Sequence, residues 1–263
     1  MIERVRTYLI AIRNILIGGN LRSLQLIGSP RLLVDISSTL LFYYKTLTGR
    51  GRLEQENPDR VIGGSSKHEI RMDTDGFFWG SDPSYAKDIV TLSYVTRALK
   101  PKRIFEIGTL DGYTALHFAM NSDIETTVYT LDLPKDGSVK PSLKSTLVDV
   151  DHQVSHAQKA RYRFEGTEFE TQIHCLFGDS ATFDYSRYYL DIDLFFIDGA
   201  HSYEYVKSDT LNALKCVRKG GVIFWHDYGR MGVNGVSKWL HELGRSKKVY
   251  SVPGSSLAFM VVG

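Results

Sequence analysis

Short apolar runs and longer segments of helical period alternate along most of this chain. Seven apolar runs predict strands, at residues 102–107, 126–132, 171–177, 191–198, 221–226, 248–252 and 257–262. Segments of helical period predict helices between them, at residues 84–99, 112–121, 202–217 and 233–243. Two runs, 194–197 and 222–225, are apolar throughout, which indicates strands that are buried on both faces. The alternation predicts an α/β fold whose doubly wound, mostly parallel sheet has seven strands.

Three regions depart from this alternation and divide the chain. Residues 1–48 predict an N-terminal helical extension, and residues 49–80, which begin rich in glycine and charge, predict a linker or lid. The main domain then spans residues 81–263. Within it, residues 133–170 follow the second main-domain strand and carry a charged, histidine-bearing middle that predicts a helix. This insertion is expected to cover a ligand site, and the alternative is a solvated excursion from the surface.

The N-terminal extension is apolar and basic. Its two apolar stretches, 5–17 and 32–47, are interrupted by charges, so neither offers the roughly 20 uninterrupted apolar residues that a membrane-spanning helix needs. Arg13 also breaks the core that a signal peptide requires. We therefore expect a cytoplasmic protein whose extension covers the sheet or forms a contact between identical subunits. Peripheral attachment to a membrane surface is the alternative.

Composition narrows the class of protein without pointing to a partner. The 263 residues are 43% hydrophobic and 24% charged, which is ordinary for a globular protein that buries a sizeable core. The net charge of +2 gives no electrostatic argument for binding nucleic acid. Both cysteines, Cys175 and Cys216, lie in apolar surroundings and are expected to be small buried side chains in a reducing compartment.

A glycine pair follows the first strand of the main domain. The apolar run ends in Gly108, and Gly112 stands where the next helix is predicted to begin. Glycine permits a tight turn and lets a ligand approach the main chain, and the free N–H groups of the following helix would face that ligand. A dinucleotide fingerprint requires Gly-x-Gly-x-x-Gly, and its second and third glycines are missing. The spacing therefore argues against a dinucleotide site.

Acidic or polar residues stand at the end of each of five strands. They are Glu106, Asp132, Asp179 with Ser180, Asp198, and His226 with Asp227. Ligands of doubly wound sheets bind beyond the carboxyl ends of the strands, so these side chains are expected to share one rim. Asp132 lies 20 residues after Gly112, where a carboxylate can accept hydrogen bonds from ribose hydroxyls. A single strand-terminal aspartate usually caps the next helix, but a set along one edge indicates a site.

The fourth and fifth strand ends carry chemistry of their own. Asp198 and His201 are three residues apart across a strand-to-helix turn, so both can face one cavity. Asp227 brings a second carboxylate from the neighbouring strand. With His226 or a water, these carboxylates form an oxygen-rich site suited to Mg²⁺, Mn²⁺ or a similar ion. A hydrogen-bonded Asp–His turn with a helix cap is the alternative.

These segments together resemble a known family. Glu-x-Gly-x-x-x-Gly-x-Thr at residues 106–114 resembles the first motif of class I S-adenosylmethionine-dependent methyltransferases. With Gly178-Asp-Ser, Ile197-Asp-Gly-Ala-His-Ser-Tyr and Gly220-Gly-Val-Ile-Phe-Trp-His-Asp-Tyr, the chain resembles the group related to macrolide-sugar O-methyltransferases and cephalosporin-hydroxylase-type proteins. The resemblance covers roughly residues 80–263, and implies a Rossmann-like methyltransferase fold.

The resemblance also implies roles for individual residues. It implies a cofactor pocket formed by Glu106, Gly108, Gly112, Asp132, Asp179 and Ser180. It implies that Asp198 binds a divalent metal and that His201 is a general base. In the sugar O-methyltransferases two adjacent acids complete the metal site. Here His226 stands in place of the first acid and Asp227 matches the second, which puts the need for metal, or its identity, in doubt.

The expected function is therefore S-adenosylmethionine-dependent methylation of a hydroxyl on a small molecule or sugar, with general-base and divalent-metal assistance. No residue specifies the acceptor. Two alternatives remain: a non-catalytic or membrane-peripheral binding protein on the same fold, and a dinucleotide-dependent oxidoreductase.

Overall fold

The computed structural model describes residues 53–63, 67–74, 83–157, 161–230 and 233–263. The predicted N-terminal extension lies outside these residues, and so do parts of the predicted linker.

Eight strands form one sheet. Strand β1 comprises Glu54–Gln55, β2 Arg103–Ile107, β3 Thr127–Asp132, β4 Ile173–Phe177, β5 Ile192–Ile197, β6 Val217–Trp225, β7 Tyr250–Ser251 and β8 Ala258–Val261. Their order across the sheet is β1-β7-β8-β6-β5-β2-β3-β4. Within the described part of the chain, β8 alone runs antiparallel to its neighbours, and all other pairs are parallel.

In the described part of the chain, six α-helices accompany the sheet. Helix α1 comprises Pro58–Ile62, α2 Pro83–Leu99, α3 Tyr113–Met120, α4 Leu147–Ala157, α5 Tyr203–Cys216 and α6 Asn234–Leu243. Helices α2, α3, α5 and α6 follow the predicted bounds to within a residue or so, because each has a long segment of helical period. Helix α4 lies inside the predicted insertion 133–170. None of the described helices has the length and apolar character needed to cross a membrane.

The sheet corrects one prediction, because it has eight strands rather than seven. The additional strand, β1, lies in the segment predicted as a linker and pairs with β7 through Glu54–Tyr250 and Gln55–Ser251. Two exposed polar residues give no apolar run, so the pattern of the sequence could not reveal this strand. Its partner is almost 200 residues away along the chain, and only the folded sheet edge brings the two together.

Each face of the sheet is covered by its own pair of helices. Phe105, Phe195 and Trp225 pack with residues of α5 and α6 on one face, whereas Phe196 and Phe224 pack with residues of α2 and α3 on the other. All six residues of β5 are buried. Removing one large apolar side chain from water stabilises the fold by about 1.5–3 kcal/mol. The central strands are therefore firmly held, which fixes the positions of the residues that follow them.

The order of the strands creates a crevice at their carboxyl ends. From β2 the chain moves outward to β3 and β4, and it then returns to β5 on the other side of β2. The switch point of the sheet lies between β2 and β5, where the strand order changes direction. The connections on its two sides leave in opposite directions, so no crossover covers the ends of β2 and β5. The expected ligand site therefore lies at these two strand ends.

Candidate active site

A cavity of about 290 Å³ lies at the switch point. Residues after β2, β3, β4, β5 and β6 line it, together with Tyr85 of α2 and several residues of the insertion. Eight of the ten predicted site residues line this cavity: Gly108, Asp132, Asp179, Ser180, Asp198, His201, His226 and Asp227. Glu106 and Gly112 are not among the lining residues.

Backbone hydrogen bonds explain why these residues converge. The ladder continues one residue past the strands, because Gly108 N donates to Leu131 O at 2.9 Å and Asp198 N donates to Ile107 O at 2.9 Å. In the same way His226 N donates to Ile197 O at 3.1 Å. Parallel register therefore delivers the first residue after each strand to one edge of the sheet.

Glu106 lies within β2 and does not line the cavity. Its side chain is buried, Oε2 accepts a hydrogen bond from Thr130 Oγ1 at 2.5 Å, and Oε1 has no hydrogen-bond partner among the described residues. Burial raises the pKa of this carboxyl well above its usual range. A neutral carboxyl that braces the end of β2 fits this geometry.

The two glycines are required by packing. Gly108 has a φ of +99°, and a Cβ there would lie 2.1 Å from the carbonyl oxygen of Asp198. Gly112 has a φ of +80°, and a Cβ there would lie 2.6 Å from the ring of Phe164 in the insertion. The missing side chains therefore allow the end of β5 and the insertion to approach the loop after β2. This is a different reason from the ligand approach that the sequence suggested.

Asp132 and Asp179 each hold neighbouring segments in place at the cavity. Asp132 Oδ2 accepts hydrogen bonds from the backbone N–H groups of Thr109 and Leu110, both at 3.0 Å, and so holds the loop after β2. Asp179 accepts from Ser142 N at 2.8 Å and from Tyr205 Oη at 2.9 Å. Asp179 therefore joins the insertion to helix α5 at the rim of the cavity.

His201 lies between two carboxylates. It directly precedes Ser202, whose hydroxyl caps α5 by accepting from Tyr205 N. Its Nδ1 is 2.6 Å from Asp149 Oδ1, and its Nε2 is 2.8 Å from Asp227 Oδ2. Burial disfavours a charged ring, but the hydrogen bonds to these two carboxylates outweigh burial and raise the pKa of His201 to about 10.

His226 also bridges carboxylates. Its Nδ1 lies 2.9 Å from Asp198 Oδ1 and 3.3 Å from Asp227 Oδ1, and its Nε2 lies 3.1 Å from Asp88 Oδ2. Burial again opposes the charged ring, but Asp198 and Asp227 raise the pKa of His226 well above its usual range. The imidazole therefore connects the two predicted acidic residues to a third carboxylate.

Asp227 occupies an unusual backbone conformation. Its φ is +59°, in the left-handed region that few residues other than glycine adopt. One carboxylate oxygen lies 3.0 Å from Arg230 Nε, and the other lies beside His201. Backbone strain of this kind costs about 1–3 kcal/mol and clusters at functional sites. The conformation aims the carboxylate at His201 and His226.

Sequence reasoning missed Asp88, Asp149 and Tyr85. Asp149 lies in α4, and Asp88 and Tyr85 lie in α2, so no strand end marks them. Tyr85 lines the cavity, with its ring edge-on to His226 at 6.1 Å between centroids. The sequence signal for Asp88 was an acidic residue beside the apolar residues of a predicted helix. Acidic residues on helix surfaces are so common that this signal does not single out Asp88.

The donor set is compatible with a divalent ion. Among the described residues, Asp198, His201 and Asp227 each offer a ligand atom within 4.8 Å of one another. The predicted set replaces His201 by His226, whose Nδ1 lies close to oxygens of both aspartates. Two carboxylates with one imidazole form an accepted ligand set for divalent ions of borderline softness.

Part of this chain matches a known protein family. Residues 105–228 match a family model described as a methyltransferase domain. The match runs from β2 to just past the end of β6, so it includes all eight predicted residues that line the cavity. No curated protein matches the sequence.

Several solved structures are similar to this chain. The cofactor-bound protein Rv0187 from MTB is 18% identical with a TM-score of 0.49, over 74% of this chain and 99% of its own. An O-methyltransferase from Bacillus cereus in complex with SAH is 18% identical with a TM-score of 0.49, over 72% and 86%. An O-methyltransferase from Streptomyces achromogenes, involved in tomaymycin synthesis and in complex with SAM, is 17% identical with a TM-score of 0.47, over 88% and 96%.

Proposed function

We propose that this chain, whose residues 105–228 match a methyltransferase domain, is a class I S-adenosylmethionine-dependent methyltransferase, and that it methylates a hydroxyl oxygen of a small molecule or sugar. The observation that carries this proposal is the shared cavity. Asp198 and His201, which can bind and deprotonate a hydroxyl, line the same cavity as Gly108, Asp132 and Asp179. Cofactor and acceptor would therefore meet in one place.

The reaction requires alignment more than covalent catalysis. The acceptor oxygen forms a bond to the methyl carbon, the carbon–sulfur bond breaks, and S-adenosylhomocysteine leaves as a neutral thioether. Holding donor and acceptor in line can supply of order 7–11 kcal/mol in favourable cases. The loop after β2, which Asp132 holds through two backbone N–H groups, gives the cofactor a fixed wall. Tyr85 and the insertion help to exclude water from the cavity.

We assign proton removal to His201. Nδ1 is hydrogen-bonded to Asp149, and we assign the exchange of a proton at the cavity to Nε2, which contacts Asp227 in this structure. Because the two carboxylates raise the pKa of His201 to about 10, the ring carries a proton on both nitrogens in this arrangement, and it must release one of them before it can accept the proton of the acceptor. A nearby positive charge, such as the cofactor's sulfonium, lowers the pKa of a histidine and so favours its proton-accepting form.

A divalent ion is part of the proposal. Asp198, His226 and Asp227 would hold it, and its chemistry there would be to lower the pKa of the acceptor hydroxyl. We assign the orientation of the acceptor to His201 and Asp198, which both line the cavity.

A radiolabel assay tests the proposed function. Protein would be incubated with methyl-labelled S-adenosylmethionine and a panel of catechols, sugars and polyketide alcohols, with labelled product as readout. We expect labelled ether product from at least one hydroxyl acceptor. Transfer to nitrogen or sulfur acceptors alone, by protein that binds the cofactor, would contradict the proposal.

Replacement of His201 tests the assignment of the base. His201→Ala should lower kcat by about 10²–10⁴, the usual contribution of a positioned base, whereas the Kd for the cofactor measured by calorimetry stays near the wild-type value. His174→Ala, at an exposed histidine outside the cavity, is the matched control. Equal kcat values for the two variants would remove His201 from the mechanism.

A further inference from the structure

Asp88 is a buried carboxylate behind the cavity. It lies in α2 and is only 1% exposed. Its Oδ1 accepts from Ser255 Oγ at 2.5 Å and from Ser256 N at 2.9 Å, and its Oδ2 accepts from Ser256 Oγ at 2.6 Å. These three donors hold the carboxylate in place, and Asp88 lies outside the residues that match the methyltransferase model.

A further contact of Asp88 sets the orientation of His226. Asp88 Oδ2 lies 3.1 Å from His226 Nε2. Asp88 Oδ2 already accepts a hydrogen bond from Ser256 Oγ, so the geometry points to Nε2 as a second donor to this oxygen. The other ring nitrogen, Nδ1, therefore faces the cavity, where it lies 2.9 Å from Asp198 Oδ1 and 3.3 Å from Asp227 Oδ1.

This arrangement matches what surrounds a metal-bound imidazole. A ligating histidine commonly donates its second N–H to a carboxylate, which fixes the tautomer and the ring and raises the basicity of the ligating nitrogen. The two oxygens close to Nδ1 belong to the carboxylates that the donor set requires. Imidazole favours ions of borderline softness, whereas Mg²⁺ prefers oxygen ligands only.

Arg230 affects how tightly an ion can bind. Its guanidinium lies 3.0 Å from Asp227 and 3.7 Å from Asp88. A bound ion would therefore share the charge of Asp227 with this cation. We therefore expect the site to differ in its affinity for different divalent ions, without binding any of them very tightly.

We propose that Asp88 is a positioning residue that presents His226 as a nitrogen ligand, and that the site consequently prefers a borderline ion such as Co²⁺ over Mg²⁺. This inference rests on the metal site of the proposed function and not on the identity of the acceptor. It assigns a role to α2, an element that lies outside the matched family segment.

Binding of Co²⁺ to the full chain with S-adenosylhomocysteine tests the proposal. The visible absorption of Co²⁺ reports nitrogen ligation, and competition with Mg²⁺ gives the preference. We expect Co²⁺ to bind at least about tenfold more tightly than Mg²⁺, and Asp88→Asn to weaken Co²⁺ binding about 10- to 100-fold, as loss of such a carboxylate usually does. His226→Asp should remove most of the preference for Co²⁺.

Two controls separate positioning from folding. Ser255→Ala removes the hydrogen bond that Ser255 Oγ donates to Asp88 Oδ1, but it leaves the contact between Oδ2 and His226. The affinity for Co²⁺ should therefore change less than threefold. Thermal unfolding and cofactor affinity identify any variant that fails to fold.

Two results would overturn the inference. One is Co²⁺ affinity in Asp88→Asn equal to that of wild type, and the other is wild-type binding no stronger than that of His226→Ala. Methyl transfer to a hydroxyl by chelator-treated wild type that binds no Co²⁺ would end this inference and leave the proposed O-methylation standing. Absence of any hydroxyl methylation despite selective Co²⁺ binding would end the proposed O-methylation and leave this inference standing.

Discussion

At the scale of residues, Gly108 shows why the loop after β2 tolerates no side chain. Its φ is +99°, and a Cβ would lie 2.1 Å from the carbonyl oxygen of Asp198. Gly137 also has a positive φ, of +70°, but a Cβ there would meet nothing within 4 Å. The two glycines therefore separate the effect of backbone conformation from that of a close contact.

This pair gives the first prediction. Gly137→Ala should lower the free energy of unfolding by about 1 kcal/mol, from backbone strain alone. Gly108→Ala should lower it by at least about 3 kcal/mol, because the strands must also move apart. Urea unfolding measures both values, and calorimetry should show loss of cofactor binding only for Gly108→Ala. Equal destabilisation of the two variants would contradict the packing explanation.

Asp209 gives a prediction on pH. This residue of α5 is buried, and burial raises its pKa to about 8. Because the folded state holds a proton that the unfolded state releases above pH ~4, this group lowers the free energy of unfolding by about 1.4 kcal/mol per pH unit until pH ~8. Its stabilising contribution is complete below the unfolded pKa and is lost as pH rises through the folded pKa.

Asp209→Asn should therefore be increasingly stable relative to wild type as pH rises from 5 to 8. Urea unfolding across this range measures the difference. Asp123→Asn, at an exposed aspartate, controls for removal of a charge. A difference between Asp209→Asn and wild type that stays constant with pH would show that Asp209 is ionised in the folded protein.

The strand-end residues could be predicted from the sequence, and their helical partners could not. Asp198, His201, His226 and Asp227 follow apolar runs, and parallel strands bring such positions together. Asp149 and Asp88 reach this cluster from 52 and 138 residues away along the chain. No local pattern encodes contacts of that length, because they depend on how helices pack against the finished sheet.

At the scale of elements, helix α4 connects the insertion to the predicted base. Asp149 accepts hydrogen bonds from both the backbone N–H and Nδ1 of His201, at 2.9 and 2.6 Å. The same side chain also accepts a hydrogen bond from Thr146 N at 2.5 Å, which stabilises the beginning of the helix. The insertion therefore contributes to the orientation of His201 in addition to lining the cavity.

Replacement of Asp149 tests this connection. Asp149→Asn keeps the size of the side chain but weakens its hold on Nδ1, so kcat should fall about tenfold or more while the KM for the cofactor changes little. Asp136→Asn, at an exposed aspartate of the same insertion, is the matched control. Equal losses in both variants, or a change in KM alone, would show that Asp149 does not orient His201.

Long helices and strands were predictable from the sequence, and the shortest were not. Helices α2, α5 and α6 and the five central strands have enough residues for their pattern to be clear. Strand β1 has two polar residues, and α1 has five residues. Pairing with β7 decides the structure of β1, and packing against neighbouring elements decides that of α1. Local preference decides neither.

At the scale of the whole molecule, the strand order explains why the proposed sites for cofactor and acceptor share one cavity. The chain changes direction between β2 and β5, and the five strand ends on either side of this point line a single space. The doubly wound architecture was predictable from the alternation of elements. The closing of the cavity by Tyr85 and α4 required the folded structure.

The most direct test of this account is a crystal structure of the full chain with S-adenosylhomocysteine. The account predicts the adenosine against Asp132 and Asp179, with the sulfur turned toward Asp198 and His201. A ligand bound elsewhere, or a sulfur atom directed away from Asp198 and His201, would contradict the account.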